Sequence, residues 1–277
     1  MKKIFLILFC VLTLSSCSGF FYQPSKGLFY DPRKIGYETN LVSFFSRDQT
    51  KLYGWFFPAR TSEVKGTIVQ YHGNAQNMST HFLSLAWITQ LGYNLFIFDY
   101  RGYGPSEGEP SQEGLNDDAI AAYDYVRNHI HKPGQKLVLF GQSLGGAVLA
   151  RAFHDFQEKT SVNAVVIESS FYSYQEIARE IASNHWLTWL FQPLAYVTVS
   201  EEYSPESYFK DISPIPLLVI HGTHDRVIPF SFGEHIFSLS REPKTFWRVE
   251  KGSHISSMQR HNGLYRKKLI EYLEQLE

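Results

Sequence analysis

Beyond residue 65 the chain alternates between short apolar runs and longer segments of helical spacing, and this alternation constrains the fold more than any other feature. GTIVQYH (66–72), NLFIFDY (94–100), KLVLFG (136–141), AVVIES (164–169), PLLVIHG (216–222) and TFWRVE (245–250) are short and apolar at consecutive positions. Such runs are strands covered on both faces. Between them, Leu115, Ala119, Ala122, Val126 and Ile130 recur every three to four residues, and Leu264, Leu269 and Leu273 mark a second helical segment near the C-terminus. Strand and helix in alternation predict an α/β fold: a mainly parallel sheet, helices on both faces, and ligands bound beyond the carboxyl ends of the strands. Ahead of this series, LVSFFSR (41–47) and KLYGWFFP (51–58) flank Asp48-Gln49 and read as an opening hairpin. The stretch 171–213 is too long for an ordinary strand-to-strand connection and is expected to form a small inserted helical cap.

Composition narrows the function classes. With 277 residues, 44% hydrophobic and 19% charged, the chain can bury one large core and is not disordered. Lys and Arg number 26 against 27 Asp and Glu, so there is no global basic field, and nucleic acid is not an expected partner. The two cysteines, Cys10 and Cys17, both precede the body, which therefore has neither a disulfide framework nor a cysteine zinc site.

The N-terminus reads as an address. Lys2 and Lys3 precede the apolar run 4–14, the length of a signal-peptide core and too short to span a bilayer. Leu14-Ser15-Ser16-Cys17 resembles the bacterial lipobox. That resemblance implies a signal peptide at 1–16, a lipidated Cys17, and a body anchored outside the cytoplasm in the cell envelope. With Ser18 following the cysteine, a diderm would sort it to the outer membrane. An ordinary secretory signal or an uncleaved anchor are the other readings. Residues 17–40 show neither period, and Pro24, Gly27 and Pro32 mark them as a tether.

Chemistry concentrates at the ends of the predicted strands. Gly141-Gln142-Ser143-Leu144-Gly145-Gly146 follows the strand KLVLF and opens the helix-compatible run 147–150. This is the setting of a nucleophile elbow, in which glycines permit a sharp turn and the Ser143 hydroxyl projects from the sheet edge, exposed. A helix cap in a glycine-rich turn is the blander reading. A serine hydroxyl needs a base, and chain order in such folds calls for an acid and then a histidine downstream. Asp225 follows the strand PLLVI and His254 follows TFWRV, which puts both on the rim that carries Ser143. Glu168, at the end of AVVIES, is the alternative acid. His221 and His224 sit too close to Asp225 in sequence to reach Ser143 as well. Asp99, Arg101, Gly102 and Gly104 read as loop closure.

Taken in order, His72-Gly73-Asn74-Ala75, DYRGYGPSEG (99–108), GQSLGG (141–146), HGTHDRVIP (221–229) and GSH (252–254) resemble the α/β-hydrolase superfamily across about 41–276. The first two motifs are most similar to a subgroup containing membrane-associated depalmitoylases and bacterial serine hydrolases. The resemblance implies an α/β-hydrolase domain over 41–277, with the backbone N–H groups of Asn74 and Leu144 as oxyanion donors and neither a metal nor an organic cofactor. The expected function is hydrolysis of a carboxylic ester or thioester of acyl or lipid type through an acyl-enzyme on Ser143, with Asp225 and His254 completing the machinery. The charge-free stretch 186–199 (WLTWLFQPLAYVTV) reads either as an acyl-chain entrance or as cap packing. Amide hydrolysis of the aminopeptidase kind is the runner-up, with Glu176, Glu180, Glu201, Glu202 and Glu206 available for a substrate ammonium. A non-catalytic envelope lipoprotein is the reading from another class.

Overall fold

The computed structural model describes residues 21–183 and 188–276, so the signal segment, the lipobox and Cys17, along with Trp186 and Leu187, lie outside the described residues. All six apolar runs form strands: β4 Gly66–Tyr71, β6 Tyr93–Asp99, β7 Lys136–Gln142, β8 Val162–Glu168, β9 Leu217–Gly222 and β10 Lys244–Val249. The opening hairpin supplies β2 Asn40–Phe45 and β3 Lys51–Phe57. Together they make an eight-stranded sheet in the order β10-β9-β8-β7-β4-β6-β3-β2. Pairing is parallel from β10 through to β6 and antiparallel only where β3 and β2 are added.

The runs are apolar at consecutive positions because each face of the sheet has its own core. In β7, Leu137 and Leu139 enter one core while Val138 and Phe140 enter the other; β9 divides in the same way, Leu217 and Val219 against Leu218 and Ile220. The helices Gln112–His129 and Leu144–Asp155 cover the first face, and the helix Leu264–Gln275 with the turns Phe82–Ser84 and Ala86–Leu91 covers the second. From β4 the chain passes to β6 on one side and then to β7 on the other. This reversal opens a crevice at the carboxyl end of β4, the usual place for a ligand in an open α/β sheet.

Between β8 and β9 lie the helix Tyr174–Ser183 and the turns Trp189–Leu194, Ala195–Thr198 and Phe209–Ile212. Much of the charge-free stretch here faces solvent: Leu190 is 74% exposed and Val197 83%, while Ala195 is buried.

Residues 17–40 differ from the tether reading over their described part. Gln23–Pro24 (β1) pairs in parallel with Ala75–Gln76 (β5), and Tyr22 is buried in the main core. Asn77 Nδ2 donates to the carbonyls of Ser25 at 2.9 Å and Gly27 at 2.6 Å. A strand of two residues, held by side-chain amides of another loop, needs no apolar period of its own. That is why pattern alone shows a linker there.

The loop after β6 closes as expected. Asp99 Oδ1 accepts the Met78 N–H at 2.7 Å, and Gly104 adopts φ 45° against the Asp99 carboxylate, where any Cβ would collide with it. Arg101 is buried between Asp118, with Nη2 to Oδ1 at 2.8 Å, and Asp48, with Nη1 to Oδ2 at 2.8 Å. It ties this loop to the helix Gln112–His129 and to the opening hairpin.

Removing one partner of such a pair strands the other charge in the interior. Arg101→Ala should therefore lower the unfolding free energy in urea by about 3–5 kcal/mol. The double variant Arg101→Met/Asp118→Leu should recover most of that loss, because no uncompensated carboxylate remains.

Candidate active site

Ser143 occupies the turn between β7 and the helix Leu144–Asp155 with φ 53° and ψ −121°, a backbone conformation that costs a non-glycine residue of order 1–3 kcal/mol. Three hydrogen bonds hold it there. The Ser143 N–H donates to the Glu168 carbonyl at 2.9 Å, and its own carbonyl accepts from Ser170 Oγ at 2.8 Å and from the Gly146 N–H at 3.0 Å. Gly145 lies directly against the Tyr71 carbonyl at the end of β4, where a Cβ would not fit. Ser143 itself is only 8% exposed, which corrects the expectation of an exposed hydroxyl. The loop after β4 folds over the strand end, and a Cβ on Gly73 would stand 3.4 Å from the Ser143 Cβ.

His254 Nε2 lies 3.0 Å from Ser143 Oγ, and His254 Nδ1 lies 2.8 Å from Asp225 Oδ2. The other carboxylate oxygen of Asp225 accepts the N–H groups of Val227 at 2.9 Å and Ile228 at 3.0 Å. Burial works to raise the Asp225 carboxyl. The hydrogen bond and charge of His254 and the two backbone amides outweigh it and hold the group below its ordinary value. An ionised Asp225 keeps the proton on Nδ1 and leaves Nε2 free to accept the serine proton.

The rival groups have other work. His221 is buried, with Nε2 2.9 Å from the Ile228 carbonyl and 3.5 Å from Asp225 Oδ2. Burial pushes its pKa down, so it stays neutral and props the acid loop. His224 Nδ1 lies 3.1 Å from Thr223 Oγ1. Glu168 turns away from His254: Oε1 accepts the N–H of Ser257 at 3.2 Å and its hydroxyl at 2.5 Å, and Oε2 accepts Gln142 Nε2 at 2.7 Å. Gln142 in turn accepts from Gln70 Nε2 at 2.8 Å. This buried chain of amides and carboxylate ties the strand ahead of Ser143 to the loop that carries His254.

Across the crevice, His72 Nδ1 lies 2.7 Å from the Gly73 carbonyl and Nε2 lies 3.2 Å from Asp99 Oδ1, so His72 shapes the turn after β4. Asn74 is clamped by three groups. Its Nδ2 donates to the Phe21 carbonyl at 2.7 Å, and its Oδ1 accepts the Gln23 N–H at 3.1 Å and the Tyr103 hydroxyl at 2.8 Å. Leu144 begins its helix, where a backbone N–H has no intrahelical acceptor. Ser143, Asp225, His254, Asn74 and Leu144 thus meet at one end of the sheet. Phe21, Gln23, Tyr103, Gln142 and Ser257 complete the surroundings and were not singled out in the sequence. Of these, Tyr103 and Gln142 carried a signal, their places inside DYRGYGPSEG and GQSLGG. No cluster of three or more His, Cys, Asp or Glu able to hold a metal ion occurs among the described residues.

Residues 62–213 match the family described as "Serine aminopeptidase, S33". The chain is 38% identical to "Uncharacterized protein YfhR" of Escherichia coli (strain K12) over 98% of its own length and 92% of that protein's. It is 31% identical to "Alpha/beta hydrolase domain-containing protein WAV2" of Arabidopsis thaliana, over 83% of this chain and 76% of that one. Among solved structures, the Pyrococcus furiosus esterase Pf2001 superposes with a TM-score of 0.74 over 92% of this chain and 98% of its own, at 18% identity, a likeness of fold. With the family matched over more than half of the chain and the fold shared, this chain belongs to the serine aminopeptidase S33 family and is a serine hydrolase of the α/β-hydrolase fold.

Proposed function

We propose that the protein hydrolyses carboxylic esters or thioesters of acyl type through an acyl-enzyme on Ser143. The observation that carries this is the line Ser143 Oγ, His254, Asp225, with its contacts of 3.0 Å and 2.8 Å. In the forward step Ser143 Oγ attacks the substrate carbonyl while its proton passes to His254 Nε2. Asp225 stabilises the imidazolium without itself taking the proton. The N–H groups of Asn74 and Leu144 receive the oxyanion; a preorganised donor of this kind is worth about 3–4 kcal/mol. His254 then protonates the leaving group, and a water activated by the same nitrogen releases the acid.

The exposed apolar rim favours an acyl ester over a peptide N-terminus, and two of the five candidate acids are already engaged. An aminopeptidase needs an acid near the mouth that is free for the substrate ammonium. Glu176 is already engaged by Arg179 at 2.7 Å and by the Tyr196 hydroxyl at 2.7 Å, and Glu201 Oε1 by Ser173 Oγ and the Gln175 N–H. The exposed apolar side chains of 190–197 suit an acyl chain. The likeness of His72-Gly73-Asn74-Ala75 to depalmitoylases supports a thioester as well. The family description is the reason to test amides beside esters. The lipobox supports an anchor at Cys17 and an extracytoplasmic place in the envelope, and mass spectrometry of the mature N-terminus tests it.

The wild-type protein should react with a fluorophosphonate probe and turn over p-nitrophenyl esters faster than aminoacyl-anilides, and Ser143→Ala should abolish labelling and lower ester turnover by about 10³-fold or more. More than a tenth of wild-type turnover in that variant, or a preference for anilides over every ester, would reject the reading.

Asp225→Asn keeps the loop amides but releases the Nδ1 proton, so kcat should fall by about 10⁴-fold. Glu168→Gln retains an acceptor for Ser257 and should cost no more than about tenfold. Steady-state kinetics on one ester compare the two, and a reversed order would assign the acid role to Glu168.

Asn74→Ala removes the clamp on the loop that carries an oxyanion donor while leaving that backbone N–H in the chain. It should lower kcat by about 10- to 100-fold with KM within about twofold, the signature of misplacement in the transition state. Tyr103→Phe, which removes one of the three bonds, should move kcat in the same direction by less.

A further inference from the structure

The described chain begins at the mouth of the site. The Phe21 ring meets Tyr174 edge-on with centroids 5.4 Å apart and Phe171 at 6.4 Å, and its carbonyl is held by Asn74. Asn74 directly follows Gly73, which packs on Ser143. Behind Phe21 the strap is fixed along its length: β1 pairs with β5, Ser25 N–H donates to the Gln76 carbonyl at 3.1 Å, and the Ser25 carbonyl accepts the Gly104 N–H at 2.9 Å. Phe21 is therefore a fixed point on the rim.

Only Ser18, Gly19 and Phe20 separate it from Cys17. Four Cα-to-Cα steps reach at most about 15 Å, whatever conformation those residues take. If Cys17 carries the acyl chains, the bilayer that holds them lies within that distance of the rim, because a leash this short cannot let the body turn its mouth away. The helix against which Phe21 packs is hydrogen-bonded to the stretch that carries exposed apolar side chains. Gln175 Nε2, one residue after Tyr174, donates to the Val199 carbonyl at 2.9 Å, and Glu176 reaches the Tyr196 hydroxyl. Leu190, Leu194 and Val197 lie in the stretch so tied, and all three are more than half exposed.

We propose that the rim formed by Phe21 and the apolar residues Leu190, Leu194 and Val197 rests on the lipid surface, and that the acyl chain of a bilayer-resident ester passes from the membrane directly to Ser143. This rests on the reading of Ser143 as nucleophile and Cys17 as anchor. It adds an orientation and a substrate source, a lipid-embedded acyl ester, to that reading. Each apolar side chain moved from water into the interface contributes roughly in proportion to its buried area, while the N-terminal acyl chains supply the main attachment.

The test uses the full acylated protein on vesicles of phosphatidylethanolamine and phosphatidylglycerol containing 4-methylumbelliferyl palmitate, with aqueous p-nitrophenyl acetate as the reference substrate. A Gly/Ser insertion of about 20 residues between Gly19 and Phe20, with a root-mean-square span of about 25 Å, frees the body from its short leash while leaving every residue of the site in place. The insertion should leave acetate turnover within about twofold and cut vesicle turnover by about tenfold or more, a loss of local substrate concentration rather than of chemistry. Leu190→Glu/Val197→Glu should lower the vesicle-to-acetate ratio in the same sense. A ratio unchanged by both variants overturns the orientation. Absence of turnover of both esters and of fluorophosphonate labelling in the wild type overturns the hydrolase reading instead, and a mature N-terminus without acyl-Cys17 overturns the anchor reading; either removes the basis of the orientation, and each leaves a distinct signature.

Discussion

The packing of the first turn of the helix Leu144–Asp155 against the carboxyl end of β4 is the contact on which the rest of the site depends. Gly145 lies against the Tyr71 carbonyl and Gly146 against the Ser170 side chain, each closer than a Cβ would allow. That approach brings the start of the helix, with the Leu144 N–H, beside the loop of His72 and Asn74. It also forces Ser143 into its positive φ, a strain offset by bonds to Glu168, Ser170 and Gly146. An elbow of this kind is over-determined by its surroundings, as a stored backbone strain must be.

Two carboxylates stand at neighbouring strand ends and do different work because their donors differ. Asp225 spends one oxygen on two backbone amides of its own loop and points the other at His254. Glu168 spends both oxygens on neighbours, Ser257 on one side and Gln142 on the other. One carboxylate addresses the imidazole, and the other joins the loop bearing that imidazole to the strand bearing the serine. The hydrogen bonds of this buried chain hold the two elements in fixed register.

The strap before β2 completes the other wall. Its contribution is backbone: the Phe21 carbonyl and the Gln23 N–H meet the two ends of one asparagine side chain, and Tyr103 braces the same oxygen. The segment that follows the N-terminal residues is therefore the segment that fixes the crevice.

The amino-acid sequence by itself determined the sheet and which polar residues gather at its edge. The strands β4, β6, β7, β8 and β9 could be read because both of their faces are buried, so apolarity runs through consecutive positions within each; β10, at the sheet edge, buries only Val249 and is not covered on both faces as its run suggested. Ser143 could be read from its glycines and its place between strand and helix, and Asp225 and His254 from standing just past strand ends. What the tertiary structure alone decided is whatever depends on one side chain meeting a distant backbone. The docking of residues 21–27 rests on Asn74 and Asn77, about fifty residues away, and leaves no period behind. The burial of Ser143 follows from the loop after β4 folding over it, and the choice between Asp225 and Glu168 follows from which loop brings its donors nearer. Local pattern records which face of an element is apolar; it does not record where a polar group finds its partner, because that distance is set only when the sheet has closed its register and the loops have packed.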